Sequence, residues 1–187
     1  IMSSDWSSDV CSSDLDFVPE FAGTPVAVSA MADETGEIPT TPLDRPITIH
    51  DVLTHTAGLA YVFDTETDVG RLHIENSLYA HPGPLEAAVA DLAALPLYAQ
   101  PGERWIYSWS NDVLGRVVEV ASGQPFDAYL QAEIFEPLGM DDTGFYLEDD
   151  ADLSALAAVY THDEDGLVPV MVEGETVGDG AGRIAFP

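Results

Sequence analysis

The sequence contains no lysine. Its basic residues are five arginines, set against 34 acidic residues for a formal charge of -29. Any chemistry that needs an ammonium group within these residues is therefore excluded. Nucleic acid, itself a polyanion, is excluded as the expected partner. Cysteine occurs once, at Cys11, so no internal disulfide can form and the redox compartment stays undetermined. No uninterrupted apolar run approaches the length of a membrane span. The first residues also lack a basic stretch followed by an apolar one, so no signal peptide is visible. If the true start lies elsewhere, that absence says nothing about secretion, and localisation and oligomeric state stay open.

What is present describes a globular chain. At 187 residues with 46% hydrophobic content, it is long enough to bury a core. Mean hydropathy is close to zero, unlike that of a disordered tail. Two readings of the acidity compete: a solvated surface suited to a salty environment, or a binder of cationic ligands or divalent metal. The acids are scattered and not gathered at ligand spacing, which favours the first.

Ser-Ser-Asp occurs three times between Ser3 and Leu15, with no helical or strand periodicity. Residues 1–15 read as a non-native or disordered leader, and 16–187 as the domain. From Phe17 to Phe21 comes a short apolar turn, then a loop rich in Pro, Gly, Thr and acids up to Pro46. Thr48 and Asp51 form a capping-box pair at a helix start. That helix carries Ile49, Val52 and Leu53 on one face and stops near Gly58.

Tyr61 to His81 reads as an irregular connection. Pro84 then opens a helix with Leu85, Val89, Leu92 and Leu95 at helical spacing, ended by Pro96. After the turn at Pro101-Gly102 comes a short extended aromatic piece from Trp105 to Trp109. Ser110 or Asn111 caps a helix with Val113, Leu114, Val117, Val118 and Ala121 as its stripe, ended at Ser122-Gly123. Another helix, Phe126 to Phe135, turns Phe126, Tyr129, Leu130 and Ile134 inward and closes at Pro137-Leu138-Gly139. Beyond Gly144 the signals are strands, Ala157 to Thr161 and Leu167 to Val170, around a turn at Asp165-Gly166. The fold class expected is α+β, mostly helical, with short strands near the C-terminal end.

Three segments carry a family resemblance. Ile47-Thr48-Ile49-His50-Asp51-Val52-Leu53-Thr54-His55-Thr56-Ala57-Gly58-Leu59 is the first. Pro101-Gly102-Glu103-Arg104-Trp105 with Tyr107-Ser108 and Asp112-Val113-Leu114-Gly115 is the second, and Glu136-Pro137-Leu138-Gly139-Met140 with Thr143-Gly144-Phe145 the third. Together, and in this order, they resemble the β-lactamase-related serine hydrolases, which include esterases, class C β-lactamases and D-alanyl-D-alanine carboxypeptidases. The resemblance implies the helical middle portion of a β-lactamase/transpeptidase-like fold. It also implies acyl transfer to a serine and hydrolysis of the acyl-enzyme, with no metal or organic cofactor. The substrate implied is a small ester, β-lactam or peptide.

By that resemblance Tyr107 is the catalytic tyrosine. A serine hydroxyl is a poor nucleophile until a base takes its proton, and a free phenol, with a pKa near 10, is a poor base at neutral pH. A phenol just ahead of a helix N-terminus feels the positive end of the helix dipole, which favours the phenolate. In the family a lysine completes that tuning. Asn111 corresponds to the substrate-facing polar residue of the usual Tyr-x-Asn element, displaced by the insertion of Trp109-Ser110. Without the resemblance, Tyr107 would read as an aromatic packed between Trp105 and Trp109.

Other candidates are weaker. His50 and His55 lie about 140° apart around a helix and cannot share a metal as residues four apart do; His55 reads as a structural residue at a helix end. Asp163 and Asp165 resemble a calcium loop only faintly, since Val172 stands where the bidentate Glu belongs. Ser108, Ser110 and Ser122 lack the Gly-x-Ser-x-Gly setting. Gly178-Asp179-Gly180-Ala181-Gly182 is similar to the family's glycine-rich element, after which the pattern is lost. Neither the Ser-x-x-Lys nucleophile segment nor a Lys-Thr-Gly or His-x-Gly strand is found. The expectation is thus a partial domain that is inactive as this chain alone, with a non-catalytic binding module as the alternative.

Overall fold

The computed structural model describes residues 17–78, 81–145, 157, 159–163, 166–169, 171–172 and 175–176. They fall into two compact units, one ending at Ala132 and the other spanning Glu133–Phe186. The Ser-Ser-Asp tract with Cys11, and the glycine-rich stretch from Gly178, lie outside the described residues.

The first unit begins with a 3-10 turn, Pro19–Gly23, that buries Val18 and Phe21. Strands β1 (Val26–Ala27) and β2 (Thr40–Thr41) pair antiparallel within the stretch that reads as loop. Two residues each are too few to give an alternating signal. The Ala27 N–H donates to the Leu97 carbonyl at 2.9 Å, and Leu97 N–H to the Pro25 carbonyl at 2.9 Å.

Helix α1 (Ile49–Leu53) starts on the expected capping box: Thr48 Oγ1 accepts from the Asp51 N–H at 3.2 Å, and Asp51 Oδ2 accepts from the Thr48 N–H at 2.9 Å. Val52 is buried, but Leu53 faces solvent, because one short turn offers the core too narrow a face for both. Helix α2 (Asp68–Glu75) occupies the stretch expected to be irregular. Its interior Gly70 hid it, and the reason for that glycine is contact: a Cβ there would sit 2.1 Å from the Asp64 carbonyl oxygen. Thr67 caps α2, accepting from the Gly70 N–H at 3.0 Å.

Helix α3 (Leu85–Ala93) follows Pro84 as expected and buries Val89 and Leu92. Helix α4 (Ser110–Ser122) packs against α1 and α3 and ends on Gly123 at φ 71°. Its N-cap position is held by Trp109, not by Ser110 or Asn111, and no side chain caps it. Trp109, Val113 and Val117 join Val52, Val89, Leu92, Leu97 and Phe21 in one core, whereas Ala121 is exposed. Each fully buried aliphatic side chain contributes about 1.5–3 kcal/mol.

Helix α5 (Phe126–Leu130) continues as a π-helical stretch, Gln131–Phe135, in which no residue is buried; Ile134 is exposed rather than inward. In the second unit, α6 (Glu136–Leu138) takes Pro137 in its first turn, where the missing N–H breaks nothing, so Gly139 at φ 66° ends the run. Strands β3 (Tyr160–Asp163) and β4 (Gly166–Pro169) form the expected hairpin, with Thr161 opposite Val168, though the first strand starts three residues later. A second hairpin joins β5 (Met171–Val172) to β6 (Glu175–Thr176). Val170 and Asp165 lie outside the described residues.

Candidate active site

Two segments of the first unit are tied together by backbone hydrogen bonds. The Gly102 N–H donates to the Thr56 carbonyl at 2.8 Å, Ile106 N–H to His55 at 2.8 Å, and Trp109 N–H to Ala60 at 3.2 Å. His55–Ala60 is thus tied to Gly102–Trp109. The turn out of α1 needs a left-handed residue at His55, with φ 55°, and another at Gly58, with φ 83°. A Cβ on Gly58 would also stand 2.1 Å from the Ala99 carbonyl oxygen. The helix end is held from below by Asp51, which is buried and accepts from Arg45 at 2.6 and 2.8 Å and from the Thr48 hydroxyl at 2.7 Å. Burial pushes the Asp51 carboxyl up, but the Arg45 and Thr48 hydrogen bonds outweigh it and hold the group below the usual carboxylate range.

This pairing presents Tyr107 at the surface in an aromatic frame. His55 stacks on its ring, with centroids 5.0 Å apart and planes at 22°; Phe63 stacks at 6.2 Å, and Tyr61 meets it edge-on at 5.2 Å. The phenol is 43% exposed, and among the described residues nothing hydrogen-bonds its hydroxyl. A polar chain leads from the half-buried His55 to the buried Ser108 and Ser110. His55 Nδ1 and Ser108 Oγ share a hydrogen bond at 3.3 Å, and Ser108 Oγ and Ser110 Oγ another at 2.8 Å. Ser108 and Ser110, expected as a motif residue and a cap, are thus internal ties. His55 is structural, as expected, and it also forms one face of the tyrosine's frame.

Asn111 lies in the first turn of α4, four residues beyond Tyr107, and is exposed. The neighbouring Asp112 carboxyl is pushed up by burial.

A cleft of about 280 Å³ opens beside Tyr107, lined by Tyr61, Phe63, Ile106, Arg104, Asp64 and Tyr98 above Ala60. Asn111 is not among the lining residues. Asp64 and Tyr98 are 34 positions apart, so no sequence motif joins them. The Tyr98 and Thr67 hydroxyls both donate to Asp64 Oδ2, and the N–H groups of Glu66 and Thr67 donate to Oδ1 at 3.0 and 3.1 Å. The Thr67 and Tyr98 hydrogen bonds lower the Asp64 carboxyl to about 2. Burial, then the Asp64 carboxylate, push the Tyr98 phenol up to about 12. Two tyrosines of one cleft thus differ in kind: Tyr98 is a committed donor, and Tyr107 has an unengaged hydroxyl. Among the described residues no group of three His, Cys, Asp or Glu side chains is placed to hold a metal ion.

The fold is β-lactamase/transpeptidase-like. The structure of EstCE1, described as a hydrolase with promiscuous acyltransferase activity, is similar, with a TM-score of 0.64 and 28% identity over 95% of this chain and 43% of that one. Residues 26–185 match the beta-lactamase family, and the chain belongs to that family. It is 43% identical to esterase EstB of Burkholderia gladioli over 101 residues, which is 53% of this chain and 26% of the esterase. It is 34% identical to lovastatin esterase of Penicillium rubens over 142 residues, 73% of this chain and 33% of that protein. The chain spans about a third or less of the length of these curated relatives. The family resemblance and the α+β fold class read from the sequence are therefore borne out.

Proposed function

We propose that the full protein is an acyl-transferring serine hydrolase in which Tyr107 moves the proton of a serine nucleophile supplied outside these residues. The substrate is a small ester, β-lactam or D-alanyl peptide. The serine oxygen attacks its carbonyl carbon, and the C–O or C–N bond breaks as the serine's proton passes to the leaving oxygen or nitrogen. Water then hydrolyses the acyl-enzyme to free acid and serine. What supports this reading above all is the presentation of Tyr107: a fixed ring, a free hydroxyl and an open cleft alongside it. A phenol that is to exchange a proton with a nucleophile needs an unoccupied hydroxyl, and a rigid ring keeps it aimed. Asn111, exposed on the turn that follows, is assigned to contact the substrate. The chain by itself lacks any lysine to complete the proton path and is inactive alone.

In the full-length protein, Tyr107→Phe is expected to lower kcat on a p-nitrophenyl ester by about 10²-fold or more while leaving the unfolding midpoint unchanged. Asn111→Ala should act mainly on KM. The 187-residue chain should neither turn over the ester nor take up a fluorophosphonate stoichiometrically. An unchanged kcat in Tyr107→Phe would reduce the tyrosine to packing. A full-length sequence without Ser and Lys on one helical turn would favour the non-catalytic binding module.

A further inference from the structure

The cleft beside Tyr107 contains a cation that, among the described residues, has no carboxylate partner. Arg45 pairs with Asp51, Arg71 with Asp68, and Arg116 with both Glu86 and Glu119. Arg104 donates from Nη2 to the Tyr98 carbonyl at 3.1 Å and, among the described residues, has no carboxylate partner. In a chain with 34 acids and five arginines, an arginine left without one stands out. Asp64, which lines the same cleft, is already satisfied by four donors from Thr67, Tyr98 and Glu66. The Tyr98 carbonyl fixes one edge of the guanidinium to the cleft wall and leaves its remaining N–H groups to point elsewhere. The rest of the lining is Ala60, Tyr61, Phe63, Ile106 and Tyr107, which is mainly apolar and aromatic.

We propose that this cleft binds a carboxylate carried on an apolar or aromatic body, with Arg104 engaging the carboxylate and the aromatic wall engaging the body. The pairing suits a planar guanidinium, which offers parallel N–H donors to a carboxylate. The volume of about 280 Å³ accommodates one ring with its acid group. The net charge of -29 repels anions over the surface as a whole, so an anion site requires a local cation freed from internal pairing. This proposal rests on the reading of Tyr107 as the reactive tyrosine only for its consequence, which is that the substrate or leaving group bears a carboxylate. The binding itself needs no turnover.

The test uses the chain as it stands. Phenylacetate and its neutral isostere phenylacetamide are titrated into isotopically labelled protein, and the amide shifts of residues 60–64 and 104–107 are followed. Phenylacetate is expected to bind in the cleft, and more tightly than phenylacetamide. Arg104→Gln should weaken phenylacetate by about tenfold and leave phenylacetamide unchanged, as loss of a charged hydrogen bond does. Arg104→Lys should recover part of the loss. Arg71→Gln removes the same charge from an arginine already paired with Asp68, and should change neither. Equal affinity for the two probes, no shift in the cleft, or an equal loss in the Arg71 variant would each overturn the proposal. A Tyr107→Phe enzyme with full kcat but Arg104-dependent phenylacetate binding would sink the catalytic reading and leave this one standing.

Discussion

His55 lies flat against Tyr107, 5.0 Å between ring centroids, and does so from a left-handed backbone at φ 55°. A non-glycine residue in that conformation costs about 1–2 kcal/mol. Here the Ile106 N–H on its carbonyl and the Ser108 hydroxyl on its ring hold it in place. The stacking recovers about 0.5–1.5 kcal/mol.

The two contributions can be separated by substitution. His55→Gly should be close to neutral in stability, since relief of the backbone offsets the lost ring contact. His55→Val adds a β-branched side chain to a left-handed position and should be less stable than the glycine variant by about 2 kcal/mol. Urea unfolding of the two variants measures the difference. Equal stabilities would show that the backbone at His55 relaxes and does not constrain Tyr107.

Where the sequence was legible, the signal was local. Thr48 and Asp51 are three residues apart, and the box they make is decided within one turn. Gly123 and Gly139 end helices by their own backbone freedom. Ser110 misled because its hydroxyl is claimed by Ser108, a contact that depends on the chain turning at Trp109. Helix α2 was hidden by Gly70, whose role is set by Asp64 six residues before it. The cleft was not legible, because Asp64 and Tyr98, 34 positions apart, come together and share a cleft with Arg104 only in the fold. Tyr107 was found through family likeness, and its frame of His55, Tyr61 and Phe63 only through the fold.

Asp51 ties the capping box to Arg45, so its removal should act on the whole turn that carries His55. Asp51→Asn loses the charge that Arg45 and Thr48 bind and should cost about 2–4 kcal/mol, against about 1 kcal/mol for Thr48→Ala. The carboxyl is depressed in the fold, so its contribution is fully present above its unfolded value and is lost as acid protonates it, below about pH 4. Acid unfolding should therefore be shallower in Asp51→Asn than in the parent chain. An unaltered acid limb would show that the pair adds nothing to stability.

His73 is buried on α2, with Nε2 donating to the Pro96 carbonyl at 3.1 Å and Nδ1 without a partner among the described residues. Burial lowers its pKa from 6.5, outweighing the Pro96 bond. The fold keeps the neutral ring. Its contribution is complete above about pH 6.5 and is lost as pH falls from there toward the depressed folded value, because the unfolded chain takes the proton first. The melting temperature should fall between about pH 7 and pH 5, and His73→Gln, which keeps a donor for Pro96 without titrating, should flatten that fall. A parallel fall in the variant would place the titrating group elsewhere.

The acidity bears on stability through repulsion. Three of the described arginines are already consumed by ion pairs and the chain has no lysine, so most of the 34 carboxylates have no cation to meet. Their mutual repulsion is screened over about 10 Å at 0.1 M salt and over about 3 Å at 1 M. The urea midpoint should consequently rise as sodium chloride is taken from about 0.1 M to about 1 M. Light scattering must be followed in the same samples, since salt also promotes association of exposed apolar groups such as Phe63 and Trp105. A midpoint that stays flat or falls while the protein remains monodisperse would mean that the carboxylates are spaced widely enough for water alone to screen them. The salt-adapted reading of the composition would then fail.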